Sequence, residues 1–242
     1  MNIDILKQSE YDEKVAEIAL TQIKNKPNSL LGFATGNTTV GFHKELAEKI
    51  MDNHVSVDDL STVNLDEYIG VTSTNPASCY YRMHDQIFKR LNLRKEQIIF
   101  LKDISEQEDF KQICSQFEDK IAEKGGIDVQ FIGIGLNGHI GFNEPGTAFG
   151  TTTHVIELDK KTRESKAHVF GGIHRVPKRG ITMGMKTIMR AKKIILLAKG
   201  ENKAEIVYKA LYGPVTPELP ASVLQLHPNL TVILDEGISL KA

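Results

Sequence analysis

Residues 129–145, VQFIGIGLNGHIGFNEP, carry a buried-strand pattern that runs directly into glycines, one histidine and one acid. Val129, Phe131, Ile132 and Ile134 form a near-continuous apolar run, which suits a strand covered on both faces. The run predicts a central strand. Gly133, Gly135 and Gly138 then match G-x-G-x-x-G, with Glu157 or Asp159 at roughly the 20-residue offset of a dinucleotide-binding turn. The match fails on its context, because that fingerprint needs a helix opening at the third glycine, whereas Gly141, Pro145, Gly146 and Gly150 break helices. Read chemically, the loop offers His139 between Asn137 and Glu144. Imidazole takes and gives protons near neutral pH, and an amide or carboxylate beside it fixes its tautomer. The segment reads as a proton-transfer site or as a histidine hydrogen-bonded within a glycine-rich loop.

The bulk numbers narrow the partner. The 242 residues suffice for one large α/β domain or two small ones, burying roughly 70–75% of the unfolded surface. Thirty basic against 31 acidic residues leave a net charge of −1 without long like-charged blocks, so nucleic acid and anionic membranes are not indicated. A small molecule is the better default. Cys79 and Cys114 lack metal-like spacing and fit a reduced, cytoplasmic setting. The opening MNIDILKQSEYDEK does not read as a signal peptide, and no run approaches the ~18 apolar residues of a membrane span.

Along the chain, strand and helix patterns alternate. Ser9 and Asp12 begin an S-x-x-D pattern before a helix predicted to about Asn25, which Pro27 stops. Leu30, Leu31 and Phe33 read as a buried strand and Phe42, Leu46, Ala47 and Ile50 as a helix. Between them Thr35, Gly36, Asn37, Thr38 and Thr39 form a loop of small polar residues at a helix N-terminus. Such a loop holds a phosphate on free N–H groups or simply caps the helix, and without G-K-[ST] it is not a nucleotide P-loop. Ser61–Leu65 predicts a strand ending in Asp66-Glu67-Tyr68, whose two acids point to opposite faces, so at most one enters a shared cleft. Residues 75–90 read as helix after Pro76, with tyrosines that pack. Residues 98–101 read as a strand, Ser105 with Glu108 as a capping box, and Phe110 to Ile121 as a helix ended by Gly125-Gly126. Residues 160–179, polar and bounded by breakers, are a mobile lid or an ordinary surface helix and loop. Strands at 194–198 and 230–234 flank a helix at 206–211, a rigid loop at 214–220 and a short helix at 222–226. Lys203, in a helix's first turn, is disfavoured by the dipole unless an anion is shared.

This alternation predicts an α/β fold, a mostly parallel sheet with helices on both faces, in which ligands bind beyond the carboxyl ends of the strands. Thr35–Thr38, Asp66, His139 with Glu144, and Lys203 each follow a predicted strand and so converge on one edge. Together they suggest a phosphate cradle, a carboxylate base and a histidine proton shuttle, with no metal cluster, nucleophilic Ser or Cys arrangement or cofactor lysine.

ATGNTT, NLDEY, GLNGHIGFNEP, VPKRGITMG and LQLHPN, in this order from about residue 28 to 234, resemble the short, non-allosteric bacterial type of the glucosamine-6-phosphate deaminase family. The resemblance implies a single Rossmann-like domain over 1–242 with a candidate lid at about 160–180. It implies conversion of glucosamine 6-phosphate and water to fructose 6-phosphate and ammonia in amino-sugar catabolism, without an organic cofactor or metal, and a monomer is favoured. By the same resemblance His139 opens the pyranose ring, Glu144 and Asn137 orient and tune it, and Asp66 moves the C2 proton toward C1. Thr35, Gly36, Asn37, Thr38 and Lys203 hold the 6-phosphate.

Three departures stand out. Many relatives carry Asp where this chain has Asn137, so Glu144 is left to stabilise an imidazolium by charge. His168 aligns with a commonly phosphate-binding Arg. His154 and Ile156 replace a positively charged pair that binds an N-acetyl sugar phosphate activator in regulated relatives, and their C-terminal extension is not found, so allosteric activation is not expected. The rival readings are a 6-phosphogluconolactonase-like hydrolase, which needs no C2 base, and a sugar-phosphate-sensing domain, against which the lack of a basic helix-turn-helix segment argues.

Overall fold

The short apolar runs pair into strands because amphipathic stretches between them carry the chain back across the sheet. The computed structural model describes residues 1–240. In chain order the elements are β1 (Asn2–Leu6), α1 (Gln8–Asn25), β2 (Leu30–Phe33), α2 (Val40–Asp52), β3 (Ser61–Asn64), β4 (Asp66–Tyr68), α3 (Cys79–Met83), β5 (Ile98–Ile99) and α4 (Phe110–Glu123). There follow β6 (Val129–Gly133), β7 (His154–Glu157), α5 (Lys160–Phe170), β8 (Arg179–Thr182), α6 (Met185–Met189), β9 (Lys193–Ala198), α7 (Ala204–Tyr212) and β10 (Leu230–Asp235).

Seven strands form a sheet in the order β1-β10-β9-β6-β2-β3-β5, with every pairing parallel. β6 is the middle strand, as its apolar run requires. Alternate residues of the sheet feed two cores. On one face Leu31, Phe33, Val129 and Phe131 pack with Val15, Ala19 and Ile23 of α1 and with Phe42, Leu46 and Ile50 of α2. On the other, Leu30, Ile132, Ile134 and Leu196 pack with Phe117 of α4, Ile188 of α6 and Val207 of α7. The fold is thus a Rossmann-like α/β sandwich of three layers.

The strand order positions the ligand crevice. From β2 the chain moves outward to β3 and β5, and from β6 it moves the opposite way to β9 and β10. Adjacent crossovers diverge there, so the carboxyl ends of β2 and β6 border a gap. A second, antiparallel sheet, β4-β8-β7, lies apart from the main one, with Asp66 opposite Thr182 and Tyr68 opposite Gly180.

Several local expectations are corrected by tertiary contacts. α1 opens at Gln8 with no side-chain cap, and Asp12 instead accepts from Lys199 Nζ at 2.7 and 2.8 Å. Ser105 N–H does donate to Glu108, yet the cap of α4 is Asp109, which accepts from Gln112 N–H at 3.1 Å. The helix expected over 75–90 is α3 followed by a π-helical turn at His84–Phe88, where Gln86 reaches His43 of α2. Leu101 lies outside β5, and Pro220–Leu226 is a 3₁₀ helix.

Asp128 fixes the register that holds the crevice. Its carboxylate, buried just before β6, accepts from Lys26 at 2.7 Å, from Lys192 at 2.8 Å and from the Leu30 N–H at the start of β2 at 2.9 Å. Burial pushes the carboxyl up, but the bonds from Lys192, Lys26 and Leu30 outweigh it and hold the group below its ordinary value. A depressed carboxyl contributes stability above its unfolded value, about 3.9, and loses it as pH falls through the folded one. Asp128→Asn is therefore expected to lower unfolding free energy at pH 7 by about 1–3 kcal/mol. Urea titrations should show that deficit shrinking below about pH 4; a deficit independent of pH would refute the charge-based account.

Candidate active site

A cavity of about 650 Å³ opens at the carboxyl ends of β2 and β6, under α5. Its walls include the loop Thr35–Thr39 after β2, Asp66 at the start of β4, the β6 loop with Asn137 and His139, and Lys203 before α7. Residues separated by more than 160 positions therefore meet in one space. Glu144 stands outside the lining, behind Asn137.

The loop after β6 turns rather than entering a helix, with Gly138 and Gly141 at φ of +83° and +57°. Gly141 carries the chain past Asp66, where a Cβ would sit 2.9 Å from Thr182 Oγ1 and 3.3 Å from Asp66 Oδ2. Along this loop three side chains form a relay whose hydrogen-bond directions follow by elimination. The Glu144 carboxylate can only accept, so the group facing its Oε2 at 3.0 Å is the Asn137 NH₂. That turns Asn137 Oδ1 toward His139, where it accepts from the backbone N–H at 3.3 Å and lies 2.7 Å from Nδ1. Nδ1 must then carry the proton. Nε2 is left as the acceptor, with no hydrogen-bond partner among the described residues.

Glu144 Oε2 is itself 3.6 Å from Nδ1, so the carboxylate acts on the imidazole by proximity as well as through the amide. Burial pushes the imidazole down; Glu144 opposes this, while Lys166 and Lys203 reinforce it, and the net direction is downward. The neutral form of the imidazole is thereby favoured. Glu144 Oε1 accepts from the Asp159 N–H at 3.3 Å, and Asp159 caps α5 through Lys161 N–H. The acid that seemed a ribose ligand in the dinucleotide pattern thus starts the helix over the cavity.

Asp66 and Glu67 take opposite directions, as adjacent strand residues must. Glu67 turns away from the cavity, and its carboxylate accepts from Tyr68 N–H, Ser78 Oγ, Cys79 N–H and Tyr80 N–H at 2.8–3.0 Å. It thereby pins the N-terminus of α3 against β4 and sets the Cys79 thiol 3.6 Å from Asp66 Oδ1. Asp66 faces the cavity with no such set of donors. Burial, with the Glu67 charge adding to it, pushes its carboxyl up to about 7. A carboxyl at that value switches between base and acid at working pH.

At the opposite wall α2 begins without a side-chain cap. The Thr39 hydroxyl points back to the carbonyls of Ala34 and Gly36, at 3.0 and 3.2 Å, and the N–H groups of Gly36, Asn37 and Thr38 have no partner among the described residues. The loop thus leaves backbone N–H donors free at the start of α2. Lys203 Nζ donates to the Ile134 carbonyl at 2.6 Å, at the end of the central strand.

The lining also includes residues that sequence reasoning passed over: Arg82 of α3, Lys166 of α5 and Lys199. Arg82 sits in a run of tyrosines taken as packing, and Lys166 in a segment whose polarity suits any surface helix, so neither carries a local signal. His168 also lines the cavity, from the exposed side of α5.

Comparison with known proteins defines the class first. The family described as glucosamine-6-phosphate isomerases/6-phosphogluconolactonase matches residues 8–233, and the chain belongs to it. Within that family it is 44% identical to the glucosamine-6-phosphate deaminase of Clostridium novyi (strain NT), over 96% of each chain. It is 45% identical to that of Lachnoclostridium phytofermentans (strain ATCC 700394 / DSM 18823 / ISDg), over 96% of this chain and 97% of that one. A solved monomeric glucosamine-6-phosphate deaminase superposes with a TM-score of 0.95 at 38% identity, over the whole of both chains. The 6-phosphogluconolactonase from Thermotoga maritima, at 18% identity over 97% of this chain and 98% of that one, shares the fold with a TM-score of 0.75. The activity of the chain is that of a glucosamine-6-phosphate deaminase.

The imidazole plane rests on Gly135, where a Cβ would stand 2.2 Å from His139 Cε1. Gly135→Ala is expected to displace the ring from Asn137 and to lower kcat by about tenfold or more. The melting temperature should change little. Wild-type kcat in a folded Gly135→Ala protein would show that the ring position is not needed.

Proposed function

We propose that His139 and Asp66 divide the chemistry of this deamination, with the substrate's 6-phosphate held at the N-terminus of α2. His139 Nε2 takes the proton of the anomeric hydroxyl and returns it to the ring oxygen, opening the pyranose. Asn137 and Glu144 orient the imidazole. Asp66 then removes the C2 proton of the open-chain aldehyde while the aldehyde oxygen gains a proton, which gives a C1–C2 enolamine. Asp66 delivers its proton to C1 as the amine gives up one N–H proton, leaving a C2 imine with a C1 hydroxymethyl group. Water adds at C2, the carbon–nitrogen bond breaks, and fructose 6-phosphate and ammonia leave. Thr35, Gly36, Asn37 and Thr38 bind the phosphate by N–H and hydroxyl groups, and Lys203 adds a charge.

The observation that carries this reading is the convergence on one cavity of a carboxyl near pH 7 and an imidazole whose free nitrogen is fixed by the Asn137 relay. Each positioned proton transfer contributes about 10²- to 10⁴-fold, so the two are of the right size for the steps assigned. On the same reading the chain works as a single domain and a monomer. α5, which buries only Thr162, serves with the following turn as a lid. Its two cysteines are unpaired, in keeping with a cytoplasmic enzyme. His154 and Ile156 lie on β7, where they offer no permanent positive pair to an anionic activator.

Ammonia release from glucosamine 6-phosphate is expected to fall about 10²- to 10⁴-fold in kcat for Asp66→Asn, with a small change in KM. In the parent enzyme kcat should decline as pH drops through about 7, because Asp66 must be ionised to act as base while His139, with a lowered value, stays neutral. Unaltered turnover in Asp66→Asn, or an acidic limb that this carboxyl does not set, would remove it from the mechanism. Initial-rate curves should be hyperbolic and indifferent to N-acetylglucosamine 6-phosphate; sigmoidal curves relieved by it would contradict the assignment of β7.

A further inference from the structure

We propose that Arg82 is a phosphate-binding residue of this enzyme, gripping the 6-phosphate beside the N-terminus of α2. The inference rests on the reading above, in which that terminus and Lys203 hold the phosphate. Arg82 lines the same cavity as Thr35–Thr39, and a cross-link between two helices explains why. His43 Nδ1 lies 2.8 Å from Gln86 Oε1. Gln86 is four residues beyond Arg82 and His43 four residues beyond Thr39, so stepping back one helical turn from that bond on each side reaches Arg82 and Thr39. Both then face the cavity.

Arg82 is also the one arginine among the residues that line the cavity. The Arg82 guanidinium has neither an ion pair nor a hydrogen bond among the described residues. Of the other cations of the wall, Lys199 is engaged with Asp12 and Lys203 with the Ile134 carbonyl, while Lys161 and Lys166 come from the overlying α5. A half-buried guanidinium beside free helix N–H groups presents a planar fork matched to two phosphate oxygens. Its charge also reaches Asp66, so an action on the base is the competing role to be separated.

The test is steady-state ammonia release by the full chain, with inorganic phosphate as a competitive probe of the anion subsite, for wild type, Arg82→Ala, Arg82→Gln, Arg82→Lys and Lys203→Ala. Loss of charged hydrogen bonds predicts that Arg82→Ala and Arg82→Gln raise KM and the phosphate inhibition constant in parallel, about ten- to hundredfold, with kcat within about threefold. Arg82→Lys should recover part of this, since an ammonium offers charge without the fork. Arg82→Gln keeps the aliphatic stem and carries the test if the alanine variant does not fold. Unchanged KM and phosphate inhibition in the Arg82 variants, with both raised in Lys203→Ala, would overturn the proposal and leave the α2 cradle standing. No change in either set would overturn both. A fall in kcat at constant KM would instead assign Arg82 to Asp66 and overturn phosphate binding.

Discussion

The parallel pairing of β6 with β2 on one side and β9 on the other is the constraint from which the rest follows. Strands that run the same way end at the same level, so every loop that leaves them emerges on one edge. Because the chain then departs in opposite directions from β2 and β6, a cavity opens between their ends. Asp128 anchors the opposite ends of these strands and so fixes their relative height. The loops that line the cavity inherit their spacing from a buried ladder rather than from one another.

Two neighbouring carboxyl groups show how that edge is used. Glu67 receives four donors and serves as a structural anchor, whereas Asp66, one residue earlier, receives a single weak thiol bond. Burial without partners raises the Asp66 carboxyl, and linkage then works against the fold. With its folded value near 7, this group favours the native state at low pH, and that contribution is lost as pH rises from about 4 through 7. On the proposed mechanism, the protein gives up stability at neutral pH to keep a base that is ready to act. The antiparallel strands β8 and β7, which hold β4 in place from outside the main sheet, are what make such a placement tolerable.

How much of this was legible in the sequence differs from element to element. The apolar run at 129–134 and the stripe of α4 were readable because burial on two faces, or on one side of a helix, leaves a local period. The convergence of Thr35, Asp66, His139 and Lys203 was readable because each follows a strand, and a parallel sheet brings strand ends together. The small antiparallel sheet was not, since Asp66 pairs with Thr182, over a hundred residues away, and nothing near either announces the partner. The cap of α1 was misread for a related reason: Asp12 had a better electrostatic partner in Lys199 than in its own helix. Arg82 and Lys166 went unnoticed because charge on a helix says nothing of what the helix faces. The Asn137 relay was half legible, in its residues but not in the direction of its bonds.

That direction matters for reversibility. On the proposed mechanism His139 both withdraws and restores a proton within one turnover, and such a group fails if either state is held too firmly. An aspartate touching Nδ1 would deepen the well for the cation, whereas the neutral amide of Asn137 meets the ring with a dipole and leaves the formal charge of Glu144 a step further off. The amide thus orients the imidazole and leaves the balance between its two forms to burial and to the more distant charges.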